Sequence, residues 1–96
     1  MLDLLPFLAP LVNTLLIFGL GYTGTAIASA ARTAGFSVTG TTRDGLDGSI
    51  RFDAAADAIS AATHLLTTAA PDDAGDPVLA RYHAAIAAAP LLRWIG

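Results

Sequence analysis

The clearest chemical signal lies in Gly19-Leu20-Gly21-Tyr22-Thr23-Gly24, which follows directly on the apolar run Leu15-Leu16-Ile17-Phe18. A G-x-G-x-x-G between a strand and a helix is suited to holding a dinucleotide pyrophosphate, and each glycine has its own task. Gly19 lets the chain turn sharply off the strand. Gly21 lets bare backbone approach a pyrophosphate where any Cβ would intrude. Gly24 lets the helix lie close against the sheet. The helix N-terminus then presents unpaired N–H groups and the positive end of its dipole to the phosphates. Leu20, Tyr22 and Thr23 complete the loop and join the three glycines as cofactor-binding candidates.

The end of the second strand decides between cofactors. An NAD site places Asp or Glu there for the ribose 2′-hydroxyl, whereas an NADP site needs a cation for the 2′-phosphate. This chain has Thr41-Thr42-Arg43, with no carboxylate between Gly19 and Asp44. Arg43 can clamp phosphate oxygens in a forked geometry, and the two threonines add hydroxyl donors. NADP is therefore favoured, with NAD as second choice; the alternative makes Arg43 a solvated loop arginine and Asp44 a turn residue before Gly45. Asp53 closes the third strand, where it either accepts from the exocyclic amine of adenine or caps the helix that follows.

These residues need a framework, and the surrounding pattern supplies one. From Thr25, residues Ile27, Ala30, Ala31 and Ala34 recur at i, i+3, i+4 and i+7, the stripe of a helix packed on a sheet. Gly35 is placed to end that helix, and Phe36 to Thr41 reads as the second strand. Strand, glycine turn, helix and strand fit a βαβ unit of about 30 residues. Asp44 to Gly48 is a turn-rich loop, Ile50 to Phe52 a short third strand and Ala54 to Ala61 a short helix. Thr63 to Thr68 is the fourth strand, and the segment from Thr67 to Pro71 should lie beside the glycine turn. Asp76 as N-cap and Pro77 at the first position open another helix that runs to about Ala89, with Leu79, Tyr82, His83 and Ile86 near one face. Pro90 stops it, and Leu91 to Ile95 begins a fifth strand. The fold class is α/β: a Rossmann-like, doubly wound parallel sheet cut short after four to five strands.

Composition narrows the function classes. A chain of 96 residues is one domain, and short for this fold, which runs to about 150 residues or more. Residues 14–96 read as a partial NAD(P)-binding domain and residues 1–13 as an apolar extension. Met1 to Leu11 lacks the basic region and cleavage site of a secretory signal; it reads as non-native, with Val12 as the alternative initiator. Asp3, Pro6, Pro10 and Asn13 argue against a membrane span there. A net charge of −3 and five scattered arginines argue against nucleic-acid binding. With no cysteine, disulfides and thiolate chemistry are excluded, and the cytoplasm is the natural compartment. Asp72, Asp73 and Asp76 read as a solvated loop with helix-dipole compensation rather than a metal site. His64 reads as a packed strand histidine and His83 as a helix-surface one, so no metal ligand is assigned.

The run from Thr14 to Gly96 resembles the N-terminal half of an NAD(P)-dependent epimerase/dehydratase-like protein of the extended or atypical short-chain dehydrogenase/reductase superfamily. The resemblance rests on Leu16 to Gly24, Thr41-Thr42-Arg43, Arg51-Phe52-Asp53, Thr63 to Leu79 and the closing Arg93-Trp94-Ile95-Gly96. It implies an oxidoreductase or a nucleotide-sugar epimerase or dehydratase. The fingerprint departs from that family's G-x-x-G-x-x-G, which points to an atypical branch. The family's chemistry also needs a tyrosine with a lysine four residues later. This chain has no lysine, and Tyr22 and Tyr82 are followed at that spacing by Ala26 and Ile86, so no catalytic residue is assigned. One rival is a 3-hydroxyacid dehydrogenase of the 6-phosphogluconate type, which also opens with a strand, Gly-Leu-Gly-x-x-Gly and an arginine after the second strand. The other is a non-catalytic nucleotide-binding or interaction module that pairs with its own kind through the exposed edge at Leu91 to Ile95.

Overall fold

Strand β1 (Thr14–Phe18) forms the middle of the sheet, and its last four residues are buried. A strand covered on both faces reads as an unbroken apolar run, which is how Leu15 to Phe18 appear in the sequence. The computed structural model describes residues 13–46, 48–68 and 75–96. Around β1 stand β2 (Ser37–Thr42), β3 (Ile50–Arg51), β4 (His64–Thr67) and β5 (Trp94–Ile95). All neighbours pair in parallel, in the order β3-β2-β1-β4-β5. With helices on both faces this is a Rossmann-like, doubly wound α/β fold, as the alternating pattern predicts. The order reverses between β1 and β4, so the switch point opens at the C-terminal ends of those two strands.

Alternation along β1 divides the core between the faces. Leu16 and Phe18 join Ala55, Ile59, Ala62, Leu65, Val78 and Tyr82 beneath helices α2 (Ala56–Ala61) and α3 (Pro77–Ala87). Leu15 and Ile17 face α1 (Tyr22–Thr33) on the other side and meet Ala28 there. Each large apolar side chain buried this way contributes roughly 1.5–3 kcal/mol.

Several boundaries differ from the sequence reading. Helix α1 begins at Tyr22, inside the glycine motif rather than at Thr25. Its inward face is Gly24, Ile27, Ala28 and Ala31, while Ala30 and Ala34 are exposed. The expected stripe was rotated because alanine occupies both faces and marks neither. The helix ends as anticipated. Gly35, at φ +96°, donates to the Arg32 carbonyl, and Phe36 donates to that of Ala31, a Schellman closure that needs glycine's left-handed freedom.

Beyond β3 the chain makes a 3₁₀ turn (Phe52–Ala54), and α2 starts only at Ala56. On α3, Asp76 is the N-cap: its Oδ1 accepts from the N–H groups of Val78 at 2.8 Å and Leu79 at 3.2 Å, with Pro77 at the first position. This explains one of the three clustered carboxylates as a cap worth about 1 kcal/mol; Asp72 and Asp73 lie outside the described residues. The buried face of α3 is Val78 and Tyr82, whereas Leu79 and His83 are exposed. Tyr82 Oη accepts from the Ala55 N–H at 3.1 Å and donates to the Phe52 carbonyl. Its ring packs against those of Phe18 and Phe52.

His64 is the expected packed strand histidine, between the rings of Phe36 and Trp94 with Nδ1 2.8 Å from Thr63 Oγ1. Strand β5 is shorter than Leu91 to Ile95 suggested and forms an exposed sheet edge. Residues 1–12, most of the expected extension, lie outside the described residues. Among the described residues no helix is long and apolar enough to cross a membrane, and no group of three metal-ligating side chains occurs.

Candidate functional site

The glycine motif forms the turn from β1 into α1, at the switch point. Gly19 has φ +101°, a left-handed conformation that glycine adopts without strain. Both strands beside β1 bind this turn. Gly19 N–H donates to Thr41 Oγ1 at 3.1 Å, and Leu20 N–H donates to the Thr41 carbonyl at 2.9 Å. From the other side, Thr68 Oγ1 donates to the Gly19 carbonyl at 2.6 Å. Thr67 and Thr68 thus lie beside the turn, as the sequence reading placed them; the remainder of that segment, from residue 69 to Pro71, is outside the described residues.

The other two glycines serve opposite purposes. A Cβ on Gly24 would stand 2.1 Å from the Gly19 carbonyl oxygen, so a side chain there would force the helix off the turn. A Cβ on Gly21 would meet nothing within 4 Å among the described residues, and its φ of −80° suits any residue. Nothing in the packing of the described residues requires glycine at position 21. The open space before it is the space a ligand backbone-bound at this turn would need.

Gly21 is the N-cap of α1 and offers no side-chain oxygen, and the first turn carries no acidic residue. The first helical bond runs from Thr25 N–H to the Gly21 carbonyl at 2.9 Å. The N–H groups of Tyr22, Thr23 and Gly24 have no acceptor among the described residues. A helix end with free donors, no capping oxygen and no carboxylate attracts an anion through both its N–H groups and its dipole. Tyr22 stands 95% exposed and Thr23 is exposed too, so neither side chain closes the entrance.

A cleft of about 380 Å³ opens beside the turn, lined by Gly19, Thr41, Thr42, Arg43, Phe52 and Pro77. Arg43 is exposed, and its guanidinium has no ion-pair partner among the described residues. The two threonines are engaged otherwise than the sequence suggested. Thr41 is buried and holds the glycine turn. Thr42 ties the following loop together: its Oγ1 accepts from Gly45 N–H at 2.9 Å and lies 2.7 Å from Ser49 Oγ and 3.2 Å from Asp44 Oδ1.

Asp53 is exposed and bound to Arg51, with Nε to Oδ1 at 3.2 Å and Nη2 to Oδ2 at 3.5 Å. That hydrogen bond, with the charge behind it, holds the Asp53 carboxyl below its ordinary range. Asp53 does not cap α2, whose N-cap is Ala55 with no side-chain bond. The cleft is lined by its neighbour Phe52.

One contributor, Gly40, escaped the sequence reading, as did the role of Thr68, whose place beside the turn was expected. Gly40 lies buried in β2, and the Leu20 side chain occupies the space a Cβ there would need, at 2.3 Å; a glycine inside a strand was the available signal. Thr68 clasps the turn through a hydroxyl that no motif announces.

No protein-family model matches the chain, and a search of curated proteins finds no match. Among solved structures, the fold is similar to that of a functionally unknown conserved protein from Silicibacter pomeroyi DSS, with a TM-score of 0.66 and 33% sequence identity. The match covers 88% of this chain and 34% of that one, so the chain spans about a third of that protein's length.

Proposed function

We propose that this chain is the NAD(P)-binding portion of an oxidoreductase or of a nucleotide-sugar epimerase/dehydratase-like protein, with NADP the preferred cofactor. The observation that carries the reading is the glycine turn at the switch point: the N–H groups of Tyr22, Thr23 and Gly24, without an acceptor among the described residues, behind an open Gly21. Gly21 to Gly24 hold the pyrophosphate, and Leu20 lies beneath the turn. Arg43 holds the 2′-phosphate, and Asp53 is the adenine contact in reach of the same strand ends. When bound, the cofactor supplies hydride transfer; the residues of this chain bind and orient it. The exposed β5 edge favours a second reading, a module that pairs with another chain and is indifferent to cofactor.

The test is calorimetric titration of NADPH and NADH against the chain and its Gly21→Val variant. The variant should fold, because the Cβ of residue 21 meets nothing, yet binding should fall below detection because the side chain enters the pyrophosphate's space. A folded wild-type chain that binds neither cofactor would overturn the reading in favour of the pairing module. Selectivity has its own check. Arg43→Ala should weaken NADPH by roughly 1–3 kcal/mol, the scale of a hydrogen bond to a charged group, and leave NADH nearly unchanged. Equal losses for the two cofactors would refute the 2′-phosphate assignment.

A further inference from the structure

The connection from β2 to β3, residues 43–49, carries no helix among its described residues, although parallel strands are usually joined by a crossover helix. It therefore lacks the helical hydrogen-bond ladder that would fix its shape. A side-chain hub takes over that task. Besides the three contacts of Thr42 Oγ1, Ser49 Oγ donates to the Leu46 carbonyl at 2.5 Å, and Leu46 N–H donates to Asp44 Oδ1 at 3.4 Å. Gly45, at φ +71°, closes against β3, where its Cβ would stand 2.9 Å from Arg51 Cγ.

Proton counting decides what Thr42 does. Two hydroxyls bring two protons. That of Ser49 goes to the Leu46 carbonyl, and that of Thr42 is divided between Asp44 Oδ1 and Ser49 Oγ. Thr42 has no proton left for a phosphate unless the hub breaks. Arg43 sits between Thr42 and Asp44, both members of the hub, so its backbone is held at each side while its side chain lines the cleft. Asp44, Leu46 and Ser49 line a separate cleft of about 420 Å³ that runs along α1. The hub is the wall between the two clefts.

We infer that Thr42 is a positioning residue: with Ser49 and Asp44 it fixes the β2–β3 loop so that Arg43 is pre-set for a 2′-phosphate, and it is not itself a phosphate ligand. This rests on the dinucleotide reading above, and it adds that cofactor preference is governed from the far side of the wall. Ser49 does not line the Arg43 cleft and reaches it only through Thr42, yet it should influence what binds there.

The experiment has two readouts on the whole chain. Amide exchange by NMR reads the hub without any ligand: the Gly45 N–H should exchange about five-fold faster in Thr42→Val, the scale of one lost neutral hydrogen bond, and regain its wild-type rate in Thr42→Ser. Calorimetry with NADPH and NADH reads selectivity. Ser49→Ala should weaken NADPH about five-fold, leave NADH unchanged, and have no effect when Arg43 is already alanine. An unchanged Gly45 exchange rate in Thr42→Val overturns the hub. NADPH weakened by Thr42→Val but not by Ser49→Ala makes Thr42 a direct ligand and overturns the positioning role. Equal weakening of both cofactors makes the hub a support of the fold alone. If the wild type binds neither dinucleotide while Gly45 exchange still responds, the functional reading has failed and the selectivity role with it, but the hub stands.

Discussion

Tyr82→Ala is expected to lower the folding free energy by about 4 kcal/mol, within the range for removing a large buried aromatic. Tyr82 is 5% exposed and lies against Phe18 and Phe52, so truncation leaves a cavity between α3 and the sheet. The loss is more than volume. Ala55 is fully buried, and its N–H donates to Tyr82 Oη at 3.1 Å; without the phenol that donor is stranded. Tyr82→Phe separates the two parts, since it keeps the ring and removes only the oxygen, and should cost roughly 1–3 kcal/mol. Urea unfolding followed by circular dichroism measures both. A loss below about 1 kcal/mol for Tyr82→Ala would mean that α3 is not anchored through this side chain. For a chain of this length total stability is about 5–14 kcal/mol, so at the lower end of that range the alanine variant keeps only about 1 kcal/mol.

Gly24→Ala should be nearly as damaging despite adding one methyl group. Alanine ordinarily stabilises a helix by about 1 kcal/mol over glycine. Here the new Cβ would stand 2.1 Å from the Gly19 carbonyl oxygen, and that obstacle is backbone, not a flexible side-chain end. Helix α1 would have to shift away from β1, exposing part of the core formed by Leu15, Ile17 and Ala28. Overpacking of this kind costs roughly 1–3 kcal/mol and occasionally more, and we expect about 3 kcal/mol. Gly21→Ala is the control: its Cβ meets nothing, so stability should stay within about 0.5 kcal/mol or rise slightly. The contrast is measured by thermal unfolding of the two variants. If Gly24→Ala melts with the wild type, the close approach of helix to turn does not govern stability.

These paired glycines also show how far the sequence could be read. The strand, the glycine turn and the second strand were legible because their signals are local: an apolar run, three glycines at fixed spacing, β-branched residues. Asp76-Pro77 was legible for the same reason, since a cap and its proline are adjacent in the chain. The start of α1 was not, because Gly21 as N-cap leaves no capping side chain to mark the boundary. Its buried face was misassigned at Ala30 and Ala34 because alanine distinguishes no face. On α3, Leu79 and His83 were grouped with Tyr82 although Val78 is the buried partner; which side of the helix meets the sheet depends on the sheet.

The threonines are the instructive case at the site. The type of Thr41 and Thr42 suggested phosphate donors, but a hydroxyl's partner is set by tertiary placement. Thr41 faces the Gly19 N–H across 22 residues of sequence. Thr68 reaches the Gly19 carbonyl across 49. Neither pairing leaves a trace in local sequence.

Those two separations also make the halves of the sheet unequal in the chain entropy they consume. Bringing β2 to β1 closes a loop of 22 residues at Thr41, whereas bringing β4 to β1 closes one of 49 at Thr63. Loop-closure entropy grows logarithmically, by about 0.6 kcal/mol per doubling, so the second closure costs about 0.7 kcal/mol more than the first. The entire glycine turn belongs to the less costly half, and its clasp at Thr68 belongs to the other.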